Sequence, residues 1–195
     1  MTLCVAPLTG AALLAALDDL ARLRIAVFRD YPYLYDGSVD YEQGYLRQFA
    51  KGRNGIIVAA KDSGEIVGCA TGSALATQHA ELQAPFSAAG YDLDRIFYCG
   101  ESVLLPQYRG QGIGHIFFEE REKHARATGY KFSVFCGVVR PDHHPARPKD
   151  YKPLDDFWKK RGYRKMEGLM AHLSWKDIGE EKASDKPMQF WLKAL

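Results

Sequence analysis

The chain has 195 residues, which is enough for one compact domain and short for two. Its 47% hydrophobic and 26% charged residues are typical of a globular protein and exclude a disordered one. The 26 basic and 24 acidic residues nearly cancel, which argues against the concentrated basic excess of a nucleic-acid-binding protein. We therefore predict a single domain over residues 1–195 with no nucleic-acid partner.

The N-terminal part of the chain predicts a short strand and two helices. Residues 3–6 form the strand, which Pro7 closes, and apolar residues every three or four positions predict a helix over residues 11–29. A second helix is predicted over residues 38–50. The tyrosine-rich link over residues 31–37 either packs the two helices together or forms one wall of a substrate cleft. The buried positions predicted for the two helices are Leu14, Leu17, Ala21, Ile25, Phe28, Tyr41, Tyr45, Leu46 and Phe49.

The rest of the chain alternates strands and helices, which is typical of an α/β domain. Two apolar runs flank the turn Asp62-Ser63-Gly64-Glu65 and predict a hairpin. Gly129 ends the longest helix of this part. In chain order we predict strands over 55–60 and 66–75, a helix or loop over 76–94, a strand over 96–105, a helix over 112–128, a strand over 131–139, a short helix over 154–161, and final strands around 171–176 and 188–193.

The cysteines, the histidines and the N-terminus bear on redox state, metals and targeting. The 4 cysteines form no CxxC pair and lie in apolar runs, which indicates buried, reduced thiols in a cytoplasmic protein. His143 and His144 lie in a loop without the Cys or carboxylate residues that would complete a ligand set, so we predict no metal site. Residues 1–10 lack the features of a signal peptide, and no apolar run is long enough to span a bilayer. We therefore predict no membrane partner.

The strongest local signal is a glycine-rich turn between a strand and a helix. The strand over residues 96–105 leads through Pro106-Gln107-Tyr108 into Arg109-Gly110-Gln111-Gly112-Ile113-Gly114, where the helix opens. The first N–H groups of a helix have no intrahelical partner, and the helix dipole places about half a positive charge there. Glycines allow the backbone to approach phosphate oxygens closely. The turn therefore predicts a site for a phosphate-bearing ligand.

The spacing of these glycines excludes two common phosphate motifs. The Walker motif requires Gly-Lys followed by Ser or Thr, whereas Gly114 is followed by His115 and Ile116. The dinucleotide fingerprint requires a third glycine where this chain has His115 or Phe117. No acidic residue closes the next strand, so a nicotinamide enzyme is also disfavoured.

The pattern Arg109-x-x-Gly112-x-Gly114 after an apolar strand resembles motif A of the GNAT N-acetyltransferases. The order of predicted elements is similar over nearly the whole chain. The resemblance implies the GNAT fold, an α/β fold with a mixed, twisted sheet of about seven strands flanked by helices, and acetyl-CoA as co-substrate. It also implies that the main chain around Leu104 and Leu105 bonds the pantetheine. The residues it implies for binding the pyrophosphate are Arg109, Gly110, Gln111, Gly112, Ile113 and Gly114, named here the phosphate cradle.

A second element of the resemblance is an aromatic pair, Phe157-Trp158, followed by Gly162-Tyr163. The family commonly has a tyrosine at the position of Trp158, where it protonates the departing thiolate. An indole lines the pantetheine channel but is no proton donor, so the resemblance gives Trp158 a cofactor-binding role only. Tyr151, Tyr163 and water remain alternatives for the proton donor.

The chemistry of amine acetylation requires a base. An alkyl amine attacks a thioester only when neutral, and deprotonating a lysine-like ammonium with a pKa near 10.4 costs roughly 4–5 kcal/mol at pH 7. A positioned base contributes about 10²–10⁴-fold in rate. Glu101 interrupts an apolar strand three residues before Leu104, where many GNAT members carry an acidic residue, and it is the predicted base. The alternative is a structural carboxylate bonded to Ser102 or to a neighbouring strand.

The acceptor and two rival functions stay open at this point. The loops over residues 31–37, 76–94 and 140–151 are predicted to shape a pocket for a small primary amine. The rivals are a non-catalytic acyl-CoA-binding or sensing module of the same fold, and a partner-binding domain with an unused cradle. A homodimer is a further open alternative, with Trp191 either at its interface or packed on the N-terminal helices.

Overall fold

The computed structural model describes residues 3–195, without the side chains of Gln48 and Ala50. Its strands form one sheet in the order β1-β2-β3-β4-β5-β7-β6. The β4–β5 pair is parallel and the other pairs are antiparallel. The seven strands are β1 (Leu3–Leu8), β2 (Ile56–Asp62), β3 (Glu65–Ala74), β4 (Ile96–Leu104), β5 (Phe132–Val138), β6 (Arg164–Trp175) and β7 (Ser184–Ala194).

Helices cover both faces of this sheet. They are α1 (Gly10–Ala15), α2 (Leu17–Phe28), α3 (Val39–Lys51), α4 (Ala80–Ala88), α5 (Ile113–Ala127) and α6 (Asp155–Lys160). Strand side chains alternate between the two faces, so that Ile57 packs with residues of α2 and the next residue, Val58, packs with residues of α5. We call these the α2 face, which carries α1 to α4, and the α5 face, which carries α5 and α6. Each large apolar side chain buried on either face contributes about 1.5–3 kcal/mol to folding.

The predicted fold class is confirmed, since the sheet is mixed and has seven strands between helical layers. The predicted hairpin, the strand before the cradle and the helix after it lie within a few residues of their predicted bounds. Among residues 3–195, no helix is both long and apolar enough to cross a lipid bilayer.

The predicted single helix over residues 11–29 is wrong. The chain forms α1 and α2, because the N–H of Ala16 bonds the carbonyl of Leu13 (3.1 Å) in a tightened final turn. With this change of phase Leu13 is buried, whereas the predicted core residue Leu14 is 66% exposed. Pro7 also does not end the first strand, and it is tolerated because β1 lies at the edge of the sheet.

On α3 the predicted burial is correct at Leu46 and Phe49 and wrong at Tyr41, which is 62% exposed. The helix instead turns the side chain of Glu42 towards α2, where it pairs with Arg24. An ion pair therefore occupies a position of the core that the hydrophobic pattern assigned to an aromatic ring.

The C-terminal strands are longer than predicted and are rearranged in space. Strand β6 already begins at Arg164, and β7 inserts between β5 and β6. Both faces of β7 are consequently covered, and Trp191 is only 2% exposed. It stacks on Phe135 and contacts Trp158 on the α5 face, so the suggested packing on the N-terminal helices is wrong and the residue gives no support to a dimer interface.

Candidate functional site

The phosphate cradle lies at the N-terminal end of α5. Gly110 and Gly112 have φ values of +77° and +83°, a conformation that favours glycine, and Gly112 is the N-cap residue. Within residues 3–195 the main-chain N–H groups of residues 110–114 donate to no other group of the chain. Buried Ile113 anchors the turn among the apolar residues of the α5 face. The turn thus offers several unpaired donors where the helix dipole favours an anion.

The two polar side chains of the cradle bond its own backbone. The Nε of Arg109 donates to the carbonyl of Leu104 (3.2 Å), and the amide of Gln111 donates to the carbonyl of Gln107 (3.1 Å). Both residues are exposed. Their side chains therefore brace the turn while its amides point outward.

A wedge between β4 and β5 opens beside the cradle. The two strands pair only where Ile96–Tyr98 lie against residues 132–134, although β4 continues to Leu104 and β5 to Val138. We call the gap between their unpaired ends the wedge. Strand edges that separate in this way present unpaired backbone groups to a ligand that enters between them.

The two residues predicted to contact pantetheine, Leu104 and Leu105, differ in their backbone hydrogen bonds. The carbonyl of Leu104, the last residue of β4, accepts the bond from Arg109. The N–H of Leu105 donates to the carbonyl of Val67 and its carbonyl accepts from Tyr108 (3.0 Å each). Leu105 therefore keeps one acceptor lone pair for a ligand, and its contact stays a prediction.

A β-bulge in β4 sets the position of Glu101. Ala70 pairs with Ser102 and Gly72 with Cys99, so Gly100 and Glu101 together oppose Thr71. A Cβ on Gly100 would lie 2.7 Å from the ring of Phe49 on α3, so this bulge position requires glycine for the close approach of the helix.

Arg121 of α5 holds the bulge from behind. This side chain is 1% exposed, and its guanidinium donates to the carbonyls of Thr71 (3.1 Å) and Glu101 (2.9 Å) and to the hydroxyl of Ser102 (2.7 Å). The sequence analysis missed Arg121. The available signal was its spacing, because it lies four residues after Phe117 and four before Ala125 on the apolar face of the helix.

The carboxylate of Glu101 is 9% exposed as a residue and is fully engaged. Its Oε1 pairs with the guanidinium of Arg24, and its Oε2 accepts from the hydroxyls of Thr71 (2.8 Å) and Tyr45 (3.0 Å). Arg24 pairs in addition with Glu42. Glu101 is thus a bonded carboxylate, through β3 and the helices rather than through Ser102, and its role as the base stays a prediction.

The sequence analysis did not identify Arg24, Thr71 or Tyr45 as functional residues. Arg24 lies on the buried side of α2, four residues after Leu20, where a basic residue is a detectable anomaly. Burial, followed by the charge of Glu101, raises the pKa of Tyr45 well above its ordinary value. The hydroxyl of Tyr45 consequently stays protonated and donates to Glu101.

A cavity of about 540 Å³ lies against Tyr45. It opens between the C-terminal end of α3, with Phe49 and Arg53, and the segment over residues 77–79. The cavity lies on the α2 face, on the side of the sheet opposite to α5, and Tyr45 of its lining bonds Glu101.

Two of the three predicted acceptor loops come together. The ring of Tyr31 contacts those of Tyr151 (4.7 Å) and His144 (5.8 Å). Arg140 fastens the first loop, since it donates to the carbonyls of residues 32 and 33 (2.8 Å each) and pairs with Asp177. The third loop, over residues 76–94, contributes its first residues to the cavity beside Tyr45.

Trp158 covers the α5 side of β5. Its ring contacts Phe135 (4.9 Å) and Trp191 (5.1 Å), and a Cβ on Gly137 would lie 3.2 Å from the indole. Gly137 lies on the unpaired part of β5, so Trp158 packs beside the wedge. This position agrees with a channel-lining role, which stays a prediction.

The two tyrosines considered as proton donors differ in environment. The hydroxyl of Tyr163 bonds Ser133 (2.7 Å) and donates to Glu122 (3.2 Å), and burial raises its pKa well above the ordinary value. The hydroxyl is held in the interior, since both of its partners are buried. Tyr151 is half-buried, and burial together with Tyr31 raises its pKa. Tyr151 is the better placed of the two.

Across residues 3–195, no three His, Cys, Asp or Glu side chains converge in a way that could hold a metal ion. The loop residues His143 and His144 therefore have no partners for a shared ligand set in this part of the chain.

Three solved structures are similar to this chain over nearly its full length. An acetyltransferase from Streptococcus agalactiae shares 17% identity over 99% of this chain and 98% of its own, with a TM-score of 0.63. A ribosomal-protein-alanine N-acetyltransferase from Brucella melitensis shares 13% over 98% and 99%, with a TM-score of 0.64. An aminoglycoside 6'-N-acetyltransferase solved with coenzyme A shares 15% over 98% and 96%, with a TM-score of 0.60.

No curated protein sequence matches the chain. The sequence profile of the Acetyltransferase (GNAT) family matches residues 17–163, which include α2, the wedge, the cradle and α6. The chain therefore belongs to the GNAT family of acetyltransferases.

Proposed function

We propose that the protein is an acetyl-CoA-dependent N-acetyltransferase that transfers the acetyl group to a primary amine by direct attack. The observation that carries this proposal is that the unpaired amides of residues 110–114 lie at the mouth of a wedge whose flank, β4, bears Glu101. A diphosphate at the cradle and an acyl group in the wedge would then lie on one continuous path.

The residues present fit this co-substrate. The cradle offers main-chain donors without a Cβ at Gly110 and Gly112, and Arg109 adds a positive charge at the rim. The backbone of Leu104 and the indole of Trp158 lie on the two sides of the wedge, as pantetheine contacts require. Acetyl-CoA supplies an activated thioester carbonyl, so the chain itself has to orient the amine and accept its proton.

Two relatives support an amine as the acceptor. The names of the Brucella protein and of the aminoglycoside enzyme both specify N-acetylation, with very different acceptors. The fold is therefore compatible with a peptide amine and with a small polyamine, and an acceptor screen has to contain both. The 4 free thiols favour a reducing compartment, and we propose the cytoplasm as the location.

Glu101 is the proposed proton acceptor. We expect Glu101→Gln to lower kcat by about 10²-fold, because a positioned base contributes 10²–10⁴-fold, while the Kd for acetyl-CoA stays within about twofold. Steady-state kinetics and calorimetric titration with acetyl-CoA measure the two quantities. An unchanged kcat removes Glu101 from the proton path.

A second candidate function is the non-catalytic acyl-CoA-binding module. Trp158 in place of the common tyrosine favours it, as does the interior position of Tyr163. The partner-binding domain with an unused cradle is the third reading, and it has no observation of its own in its favour.

Two measurements separate these functions. Acetyl-CoA at about 100 times its Kd should stabilise the protein by roughly 2.7 kcal/mol, which is a clear rise in Tm. Release of free CoA is then followed with lysine, spermidine, kanamycin and a peptide with an N-terminal alanine. Stabilisation with release supports the enzyme, stabilisation without release from any amine supports the binding module, and no stabilisation contradicts both.

A further inference from the structure

We propose that Tyr45 is a catalytic residue that carries the proton of the acceptor amine to Glu101. This inference rests on the proposed acetyltransferase function and adds the path by which its base is reached. The path is not apparent from the sequence, in which residues 45 and 101 lie on separate elements.

The first argument is the access to the carboxylate of Glu101. Its Oε1 is fully buried against Arg24, and its Oε2 accepts bonds from Thr71 and Tyr45. Thr71 is itself fully buried in β3. Tyr45 alone among these three partners also lines the 540 Å³ cavity. Tyr45 is therefore the partner that links this cavity to the carboxylate, through the bond from its hydroxyl to Glu101.

The second argument is that the hydroxyl is oriented in advance. The ring of Tyr45 lies between Phe49 (5.0 Å between centroids) and the guanidinium of Arg24 (4.2 Å from the ring centroid). Because the O–H hydrogen points to Glu101, the free lone pairs of the phenolic oxygen point elsewhere and can accept an N–H. A fixed donor and acceptor of this kind needs no rearrangement during the reaction.

The proton transfer balances without a further reagent. The nitrogen lone pair forms the C–N bond to the thioester carbonyl carbon. An N–H proton then passes to the oxygen of Tyr45 while the hydroxyl proton of Tyr45 passes to Oε2 of Glu101, and the N–H electron pair remains on nitrogen. The C–S bond breaks with its electron pair on sulfur, which takes a proton from water. Tyr45 ends as a neutral phenol, and Glu101, a neutral acid after this step, returns its proton to the hydroxide left by that water, which restores the carboxylate.

The kinetic test uses Tyr45→Phe, Glu101→Gln, the double variant, and Tyr41→Phe as a control. Phenylalanine retains the packing of the ring and removes only the hydroxyl, and Tyr41 lies exposed on the same helix. With the four amines named above, we expect each single variant to lower kcat by about 10²-fold. The double variant should lose no more than either single one, because both residues act in one path. Tyr41→Phe should match the unaltered protein.

A second readout needs neither substrate nor turnover. Glu101→Gln replaces the carboxylate that accepts the hydroxyl proton of Tyr45, so the ζ-carbon resonance of Tyr45 should move at constant neutral pH. Carbon NMR of ring-labelled tyrosine in the ligand-free protein measures this resonance, and the signal missing from Tyr45→Phe assigns it.

The outcomes distinguish failure of the Tyr45 relay from failure of the proposed acetyltransferase function. Normal turnover of Tyr45→Phe with slow Glu101→Gln means direct contact between amine and carboxylate, and overturns the relay while the proposed function stands. Multiplicative losses in the double variant, or a Tyr45 resonance unchanged in Glu101→Gln, also overturn it. If the unaltered protein acetylates none of the four amines, the relay and the proposed function fall together.

Discussion

Arg24 is the side chain with the most unusual surroundings in this protein. It lies buried between the carboxylates of Glu42 and Glu101, with its guanidinium over the ring of Tyr45. Removing charges from water costs several kcal/mol per ion, and mutual pairing repays this cost only when each ion keeps its partner. The cluster therefore fixes α2, α3 and β4 relative to one another in a single arrangement.

At this scale we predict that Arg24→Ala is strongly destabilising. The substitution leaves two buried carboxylates without their cation, which typically costs 3–5 kcal/mol, and the Tm of a chain of this size should fall by about 10 °C. Arg22→Ala is the matched control, because Arg22 is exposed on the same helix. Differential scanning calorimetry compares the two variants. Equal Tm values would mean that the cluster adds nothing to stability.

The sequence predicts single residues when a residue breaks a pattern. Glu101 was found because a charge interrupts an apolar strand, and the cradle glycines because their spacing is specific. Thr71 and Tyr45 fit the patterns of their own elements, so nothing in the sequence marks them as neighbours of Glu101. Such contacts depend on the packing of α3 against the sheet, which local patterns do not encode.

Helix α5 and the turn before it form the element with the clearest function. The turn needs a positive φ at both Gly110 and Gly112, and a Cβ on Gly112 would point into open space, where the proposed ligand would approach. The same helix supplies Arg121 to the bulge of β4. One element thus presents the cradle with its first turn and supports the position of Glu101 with its third.

For this element we predict that Gly112→Ala weakens acetyl-CoA binding on the order of tenfold, or about 1.4 kcal/mol. The added Cβ disfavours the backbone conformation by roughly 1–2 kcal/mol and lies on the ligand side of the turn. Gly90→Ala is a close control, since Gly90 has φ +77° and open space around it but lies far along the chain from the cradle. Calorimetric titration should give an unchanged Kd for the control, and an equal loss in both variants would contradict a role for the turn.

Elements with a strong local signal were predicted within a few residues, and the failures share a cause. The hairpin turn and the glycine that ends α5 act through local backbone geometry. The break at Ala16 goes with the burial of Leu13 and Ala16 in the core, and the length of β6 depends on its pairing with β7, so both depend on tertiary contacts. Local propensity is only a weak constraint where packing decides.

At the scale of the whole molecule, the last strand of the chain, β7, lies between β5 and β6 in the sheet. It pairs with β5 and β6 and contributes Phe190 to one face and Trp191 to the other. The alternation of apolar residues predicted a strand here, but an interior position requires knowledge of the strand order. The family profile ends at residue 163, before this strand begins, so a fragment cut to the profile would lack a central part of the core.

The intact fold also predicts how the thiols react. The predicted burial of the thiols is wrong for Cys4, which is exposed, and correct for Cys69, Cys99 and Cys136. Burial raises the pKa of the Cys136 thiol to about 12, which suppresses the reactive thiolate. We expect a disulfide reagent such as DTNB to modify one thiol per chain rapidly in the native state and all of them after unfolding. Cys4→Ser should abolish the rapid phase, and a second fast thiol would mean that the core opens readily.

The β-bulge in β4, where Gly100 and Glu101 together oppose Thr71, also reverses which face of the sheet each later residue occupies. Before it, Tyr98 belongs to the α2 face and Cys99 to the α5 face, whereas after it Val103 belongs to the α2 face and Leu104 to the α5 face. An unbroken alternation would direct Glu101 towards the phenylalanines that surround α5. Deletion of Gly100 would therefore remove the bulge and still leave Val103 on the α2 face and Leu104 on the α5 face, because the strand would then alternate regularly from Cys99 onward.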